Sequence, residues 1–203
     1  MQPARTKTAT ASRATAQTKK AKRDEVEINN IMKWPKSSQK KIYRDERAIA
    51  GRKNETAILY DSQGKTLLVK TGGESNVSFS QEEIQMMRGA VLTHNHPYST
   101  TFSWADIAML GNGHLSEIRA AVEGGTFYMR HPKMWPKEIN SIEKIKQAYL
   151  KIEAEVEPLI KKRLDLGEID VIQYNQIYQM HLLDRFATKY HFDYGYEKRN
   201  ENG

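Results

Sequence analysis

The stretch "VLTHNHPYSTTFSWADI", from Val91 to Ile107, carries the pattern that decides the fold. A short apolar run, typical of a buried strand, ends in His94 and His96, and Pro97 then stops the strand ladder. Residues i and i+2 of a strand point to the same side, so the two imidazoles should be parallel. Asp106 follows after a loop long enough to fold back. We therefore predict a two-histidine, one-carboxylate metal site with a fourth position open to water.

Each part of this pattern also has an ordinary structural interpretation. A His-x-His pair is common without a metal, and Ser103 and Asp106 have the spacing of a helix N-capping box. The contiguous letters His-Asn-His are no evidence for the nuclease class of that name, whose residues are scattered over a larger unit. The 203 residues include no cysteine, which excludes disulfides, thiolate zinc sites and cysteine nucleophiles and is typical of a cytosolic protein. A transition metal would need His, Asp or Glu ligands.

The net charge of +7 is located in one segment. Met1–Arg23 has seven basic residues and no acidic one, so 25 of the 32 basic residues remain to balance all 25 acidic residues in the rest of the chain. The segment is rich in Thr, Ala and Lys and should be a disordered basic tail. It is either a solubilising leader or an electrostatic arm for nucleic acid. No apolar run is long enough to predict a membrane span.

The pattern along the chain predicts an α+β domain at 24–135 and a helical extension at 136–203. Ordered structure should begin near Asp24. The first predicted elements are a helix capped by Ser37 or Ser38 and ending near Ala50, a hairpin of Thr56–Tyr60 and Thr66–Lys70, and a short strand at Asn76–Ser80. A helix opened by a Ser80–Glu83 capping box, the strand before His94 and a helix starting at Ser103 follow. The last elements are a hairpin around Gly124 and Gly125 and two long helices, after Trp135 and after Gly167.

The segment "HNHPYSTTFSWADI" closely resembles the signature of the JAB/MPN metalloprotease-like superfamily, the JAMM motif. That signature is His-x-His-Pro, a short loop and then Ser-x-x-Asp, and its wording here is nearest to RadC-like and phage head-associated bacterial branches. The superfamily also has a glutamate that opens an earlier strand, and "NETAILYD" supplies Glu55 in this position. Glu46, within the preceding helix, is the alternative. The resemblance covers about residues 38–131.

The resemblance implies a JAB/MPN-like (cytidine-deaminase-like) mixed sheet flanked by helices. It implies that His94, His96 and Asp106 hold Zn²⁺, that Glu55 is the general base and acid, and that Ser103 stabilises the oxyanion. The implied activity is hydrolysis of peptide or isopeptide bonds in a protein or peptide substrate, by a phage- or mobile-element-encoded enzyme.

An open alternative is a catalytically silent binding or phage head assembly module, with a phage structural protein as partner, acting near nucleic acid through the basic tail. The expected location is the host cytoplasm or the virion.

Overall fold

The computed structural model describes residues 30–199, so the basic tail and the predicted start near Asp24 lie outside the described residues. The fold is α+β, as predicted. In chain order its elements are α1 (Lys36–Ala50), β1 (Thr56–Tyr60), β2 (Thr66–Thr71), α2 (Gln81–Gln85), β3 (Val91–Asn95), α3 (Trp104–Asn112), β4 (Glu117–Val122), β5 (Gly125–Arg130), α4 (Ile142–Asp165), α5 (Val171–Tyr190) and β6 (Asp193–Lys198), with short 3-10 turns at Ile31–Lys33 and Lys137–Ile139.

The strands form one six-stranded mixed sheet in the order β2-β1-β3-β4-β5-β6. Strands β3 and β4 pair in parallel and are connected through α3, whereas the other neighbours pair antiparallel. Strands β1, β3 and β4 are buried along their whole length, although β4 includes the charged residues Glu117 and Arg119. The edge strand β2 alternates between half-buried and exposed residues.

Helices cover both faces of the sheet. On one face α1 packs through Ile42 and Ile49 against Ile58 and Tyr60. On the other face α3, α4 and α5 enclose the larger core, which contains the apolar side chains Leu59, Leu92, Phe102, Ile107, Leu110, Ile118, Met129, Ile152, Val156, Leu183 and Phe186. Alternate residues of each central strand therefore face two different environments.

Most of the local predictions are confirmed. The β1–β2 hairpin closes through a turn in which Asp61 Oδ1 accepts hydrogen bonds from the amides of Gln63 and Lys65, at 2.8 and 2.9 Å. Gly64 takes a positive φ of 78° in that turn, which only glycine adopts without strain. The capping box of Ser80 and Glu83 is present at the start of α2.

Two local predictions are wrong. Asn76–Ser80 is not a strand: Gly73 N donates to the Asn76 carbonyl, the chain leaves the sheet edge, and its apolar side chains Val77 and Phe79 pack on the core instead. Neither Ser37 nor Ser38 caps α1, which begins at Lys36 after an extended Pro35. Ser38 Oγ instead donates to the Gln63 carbonyl, 2.7 Å away in the β1–β2 turn.

The C-terminal segment was predicted to be helical, and α4 and α5 are indeed helices. Their apolar faces pack in the same core as the sheet, through residues such as Ile152 and Phe186. The segment also contains β6, which the sequence analysis missed. Strand β6 pairs with β5 from Gly125–Lys198 to Arg130–Asp193 and completes the sheet. Within residues 30–199, no helix combines the length and apolar character needed to cross a membrane.

Candidate metal centre

The end of β3 carries both histidines, and its strand neighbours leave room for them. His94 lies between Ala57 on β1 and Ala120 on β4, whose methyl groups occupy little of the space above the sheet. The two rings are on the same face, as the i, i+2 spacing predicts, and their Nε2 atoms are 2.8 Å apart. Both side chains are buried.

Asp106 reaches the histidines from the first turn of α3, and one carboxylate has two roles. Its Oδ2 atom accepts hydrogen bonds from Ser103 N at 2.7 Å and from Ser103 Oγ at 2.8 Å, which completes the capping box. Its Oδ1 atom faces His94 Nε2 at 3.1 Å, and Oδ2 is 3.7 Å from His96 Nε2. The capping interpretation and the metal-site interpretation of the Ser103–Asp106 spacing are therefore compatible, because the cap orients the Asp106 carboxylate toward the histidines.

The distances fit a single small metal ion. Two donor atoms bound to one tetrahedral zinc at about 2.05 Å lie about 3.3 Å apart. The two Nε2 atoms are 2.8 Å apart, and each lies near one of the two Asp106 oxygens, His94 Nε2 at 3.1 Å from Oδ1 and His96 Nε2 at 3.7 Å from Oδ2, so the separations are close to this value. Among the residues that the structure describes, this is the one group of three or more His, Cys, Asp or Glu side chains with converging ligand atoms. The cluster could hold a metal ion.

Hydrogen bonds outside the cluster favour the ligand tautomer of His96. Its Nδ1 atom is 2.9 Å from the Thr100 carbonyl, so Nδ1 carries the proton and donates it, leaving the Nε2 lone pair for a metal. His94 Nδ1 is buried without a hydrogen-bond partner. The ring of His94 is therefore held mainly by packing and by the interactions of Nε2, although the backbone of Arg119 also contributes to its raised pKa.

The charges of the cluster depend on one another. Burial by itself would raise the pKa of the Asp106 carboxyl, but the charge and hydrogen bond of His94 hold that pKa far below its usual range. Burial lowers the pKa of His94, yet the opposing effect of Asp106 and Glu55 is larger and the pKa is raised. Burial and the neighbouring His94 lower the pKa of His96. In the metal-free protein the shifts of both pKa values thus favour protonated His94 beside ionised Asp106.

Glu55 opens the strand next to the histidines and lines the same cleft. The cleft has a volume of about 270 Å³ and is also lined by His94, His96, Ser103 and Asp106. Burial raises the pKa of Glu55, while His94 lowers it and Asp106 raises it further, so its carboxylate is within electrostatic reach of the cluster. The structure therefore brings all five predicted site residues to one cleft.

Asn95 is a residue of this site that the sequence analysis did not identify. It is fully buried between the two histidines in sequence but points to the other side of β3. Its Oδ1 atom accepts from Thr56 N at 2.7 Å, and its Nδ2 atom donates to the Arg52 and Asn54 carbonyls at 3.1 and 3.3 Å. Asn95 therefore fixes the backbone on both sides of Glu55.

Glu46, the alternative acidic residue, lies on the opposite face of the sheet. It accepts hydrogen bonds from Thr93, which precedes His94 on β3, and from Arg119 and Thr126. Its side chain is only 2 % exposed, and its position makes it a buried ion-pair partner rather than a residue of the cleft.

The remaining histidines of the described part lie away from the cluster. His131 packs against Trp135 and its Nδ1 atom contacts the Pro132 carbonyl at 2.7 Å. His191 ends α5 in the left-handed conformation.

Comparisons of the chain with models of protein families, with curated proteins and with solved structures found no match.

Proposed function

We propose that the chain is a zinc-dependent hydrolase of the JAB/MPN type that cleaves peptide or isopeptide bonds. The observation that carries this proposal is the convergence of His94, His96 and Asp106 in a solvent-open cleft that also contains Glu55. Three protein ligands with an open fourth position are typical of catalytic rather than structural zinc. The mixed sheet, with its histidine strand next to the Glu55 strand, supports the JAB/MPN-like assignment.

The bound zinc would supply Lewis-acid chemistry, lowering the pKa of a water and polarising the scissile carbonyl. Glu55 accepts the proton of the attacking water and then donates it to the departing amine, so no net proton is consumed in the transfer. Its burial, which raises the pKa of the carboxyl, makes it a better base than an exposed glutamate. Asp106 and the two histidines supply the ligand atoms.

The Ser103 hydroxyl already donates a hydrogen bond within the protein, which bears on its proposed oxyanion role. Its hydroxyl proton is directed to Asp106 Oδ2 at 2.8 Å. A hydroxyl has a single proton, so Ser103 would have to release Asp106 in order to donate to a substrate oxyanion. We propose that Ser103 acts first by orienting the Asp106 ligand, and that donation to an oxyanion requires rotation of the hydroxyl.

The test combines metal analysis with a search for cleavage. Purified protein is analysed for zinc and incubated with a library of linear peptides and of peptides joined through lysine side chains, with cleavage read by mass spectrometry. We expect about one zinc per chain, and cleavage that is lost in Glu55→Gln while zinc is retained, because an amide cannot accept the proton. Glu74→Gln is the matched control, since Glu74 lines the same cleft but its carboxylate contacts the Tyr98 hydroxyl, at 3.5 Å.

Each outcome distinguishes a function. Wild-type protein that takes up no zinc contradicts the hydrolase proposal. A zinc-loaded protein that cleaves no library member, in wild type and Glu55→Gln alike, favours the binding or assembly module. A Glu74→Gln variant as inactive as Glu55→Gln would show that the cleft as a whole, rather than the Glu55 carboxylate, was disturbed.

A further inference from the structure

A second cleft lies on the α1 face of the sheet, opposite the candidate metal centre. It has a volume of about 780 Å³ and is bounded by α1 and by the β5 and β6 ends that meet at Gly125. Five cationic residues line it, and we call it the cationic cleft: Lys40, Arg44, Arg47, Lys198 and Arg199. Basic and acidic residues are balanced outside the N-terminal tail, so this concentration of cations is a local feature.

The two carboxylates that line the cationic cleft are already paired. Glu46 Oε1 is 2.6 Å from Arg119 Nε, and Glu197 Oε2 is 2.6 Å from an Arg119 guanidinium nitrogen. Arg119 is fully buried, but it also pairs with Glu117, so its single charge is shared among three carboxylates and compensates Glu46 and Glu197 only in part. The five cationic residues of the cleft still outnumber its two carboxylates, which leaves a net positive charge for an external anion.

The cations have a linear arrangement along α1. Lys40, Arg44 and Arg47 follow one another at four and three residues and so share one side of the helix. They extend over about 10.5 Å of the helix axis. A nucleic-acid strand carries one phosphate for about every 3.4 Å of its axis, so the three side chains extend over about three phosphate intervals.

Arg199 is held in place at the far wall of the cleft. Arg199 donates from its guanidinium to the Val122 and Gly125 carbonyls, at 3.2 and 3.3 Å, which fixes its position while leaving its charge uncompensated by these neutral groups. Among residues 30–199, Arg44 is the one cation of the cleft with an ion-pair neighbour outside it, Asp45 at 3.5 Å. A cation that is already held in place, as Arg199 is, loses little conformational freedom when it binds a polyanion.

We propose that the cationic cleft binds the phosphate backbone of a nucleic acid, which makes the folded body, and not the N-terminal tail alone, a nucleic-acid contact. Met32 lines the same cleft and follows Arg23 by nine residues, so the seven basic residues of Met1–Arg23 are joined to the chain beside it. The acidic residues Asp24, Glu25 and Glu27 lie between, which makes the tail and the cleft two separate cationic blocks.

The test measures binding of the full chain to fluorescein-labelled duplex and single-stranded DNA by anisotropy, from ~50 to ~200 mM KCl. The cleft variant is Lys40→Glu with Arg47→Glu, two exposed side chains that have no ion-pair partner among residues 30–199. The matched control is Lys151→Glu with Lys162→Glu, which makes the same charge change on exposed positions of α4. Melting curves and zinc content of both variants establish that they fold.

We expect the cleft variant to bind DNA at least tenfold more weakly, with the slope of log K against log salt shallower by about 2, because two phosphate contacts are lost. The control should change affinity by less than about threefold. Equal losses in the two variants would show that net charge alone matters and would overturn the proposal. Wild-type affinity and slope retained in the cleft variant would overturn it too, as would a wild-type protein that binds neither DNA at the lowest salt. A mononucleotide that displaces the labelled DNA as effectively as unlabelled DNA does would overturn the proposal and identify a small phosphate ligand instead.

Discussion

Asp106→Asn is the substitution that separates the two roles of one carboxylate. Asparagine keeps the shape of the side chain but replaces one oxygen with an NH₂ group. If its oxygen faces the histidines, the NH₂ opposes the Ser103 amide, and the cap bond of 2.7 Å is lost. If its oxygen stays on Ser103, the NH₂ faces His94 Nε2, and the ligand atom at 3.1 Å is lost. The variant cannot satisfy both.

The free-energy costs of losing the cap and of losing the metal ligand differ in size. A lost N-cap costs about 1 kcal/mol. Substitution of residues that merely orient a ligand costs 10- to 100-fold in metal affinity, so loss of the anionic ligand itself should exceed ~100-fold, or ~2.7 kcal/mol. Metal-free Asp106→Asn can keep the cap but loses the ion pair with His94, so it should melt below wild type, and its zinc affinity should fall more than a hundredfold.

Ser103→Ala is the matched comparison, because it removes the hydroxyl but leaves Asp106 and the Ser103 amide in place. We expect it to lower the stability of the metal-free protein by about 1 kcal/mol and zinc affinity by about tenfold. Zinc affinity is measured by competition with a chromogenic chelator, and stability by thermal melting of the metal-free proteins. Asp106→Asn that binds zinc normally and merely melts earlier would refute the metal site. Ser103→Ala that weakens zinc more than Asp106→Asn would refute the assignment of Asp106 as the ligand.

Three further predictions concern the surroundings of the site. Glu46→Gln should lower the free energy of unfolding by about 3 kcal/mol or more, because it breaks a buried pair with Arg119, yet leave zinc content unchanged in metal analysis. The pKa of His94 is raised above its ordinary ~6.5, and zinc must displace the proton of this side chain. Zinc affinity should therefore fall about tenfold per pH unit once the pH drops below that pKa. Titrations that show no change in zinc affinity from pH 8 to pH 6 would contradict this. Deletion of Met1–Arg23 should leave the melting temperature and zinc content unchanged, because the segment has no large apolar side chain after Met1 to bury.

The site was predictable where its signals are local. The i, i+2 spacing of His94 and His96 depends only on the strand period, and the Ser103–Asp106 capping box depends only on the first helical turn. Both features involve only a few consecutive residues, and both are present in the structure. What joins them is the short loop after Pro97, which the Thr100 carbonyl anchors to His96 Nδ1. That bond was not predictable, because any backbone carbonyl of the loop could have served.

Non-local pairings account for the features that sequence reasoning missed. Strand β6, "DYGYEK", has a glycine and three charged residues and resembles a loop, but its backbone pairs with β5, a partner over sixty residues earlier in the chain. Arg119 looks like an exposed residue of a hairpin, yet it is fully buried because Glu46, Glu117 and Glu197 converge on it from three separate elements. Burial of a charge depends on its partners, and two of the three, Glu46 and Glu197, lie more than seventy residues from Arg119 in the sequence.

The central strand β3 links the two faces of the molecule through consecutive residues. Thr93 donates to Glu46 on the α1 face, His94 projects into the metal cleft, and Asn95 returns to the first face to hold the backbone beside Glu55. A one-residue shift in the register of β3 would exchange all three environments at once. The buried network of Glu46 and Arg119 therefore does more than compensate charge. It makes the wrong register costly, because a shifted strand would leave Glu46 without the Thr93 hydroxyl and would point the imidazoles at a buried arginine. On this argument the polar network on one face specifies the register that assembles the candidate metal centre on the other.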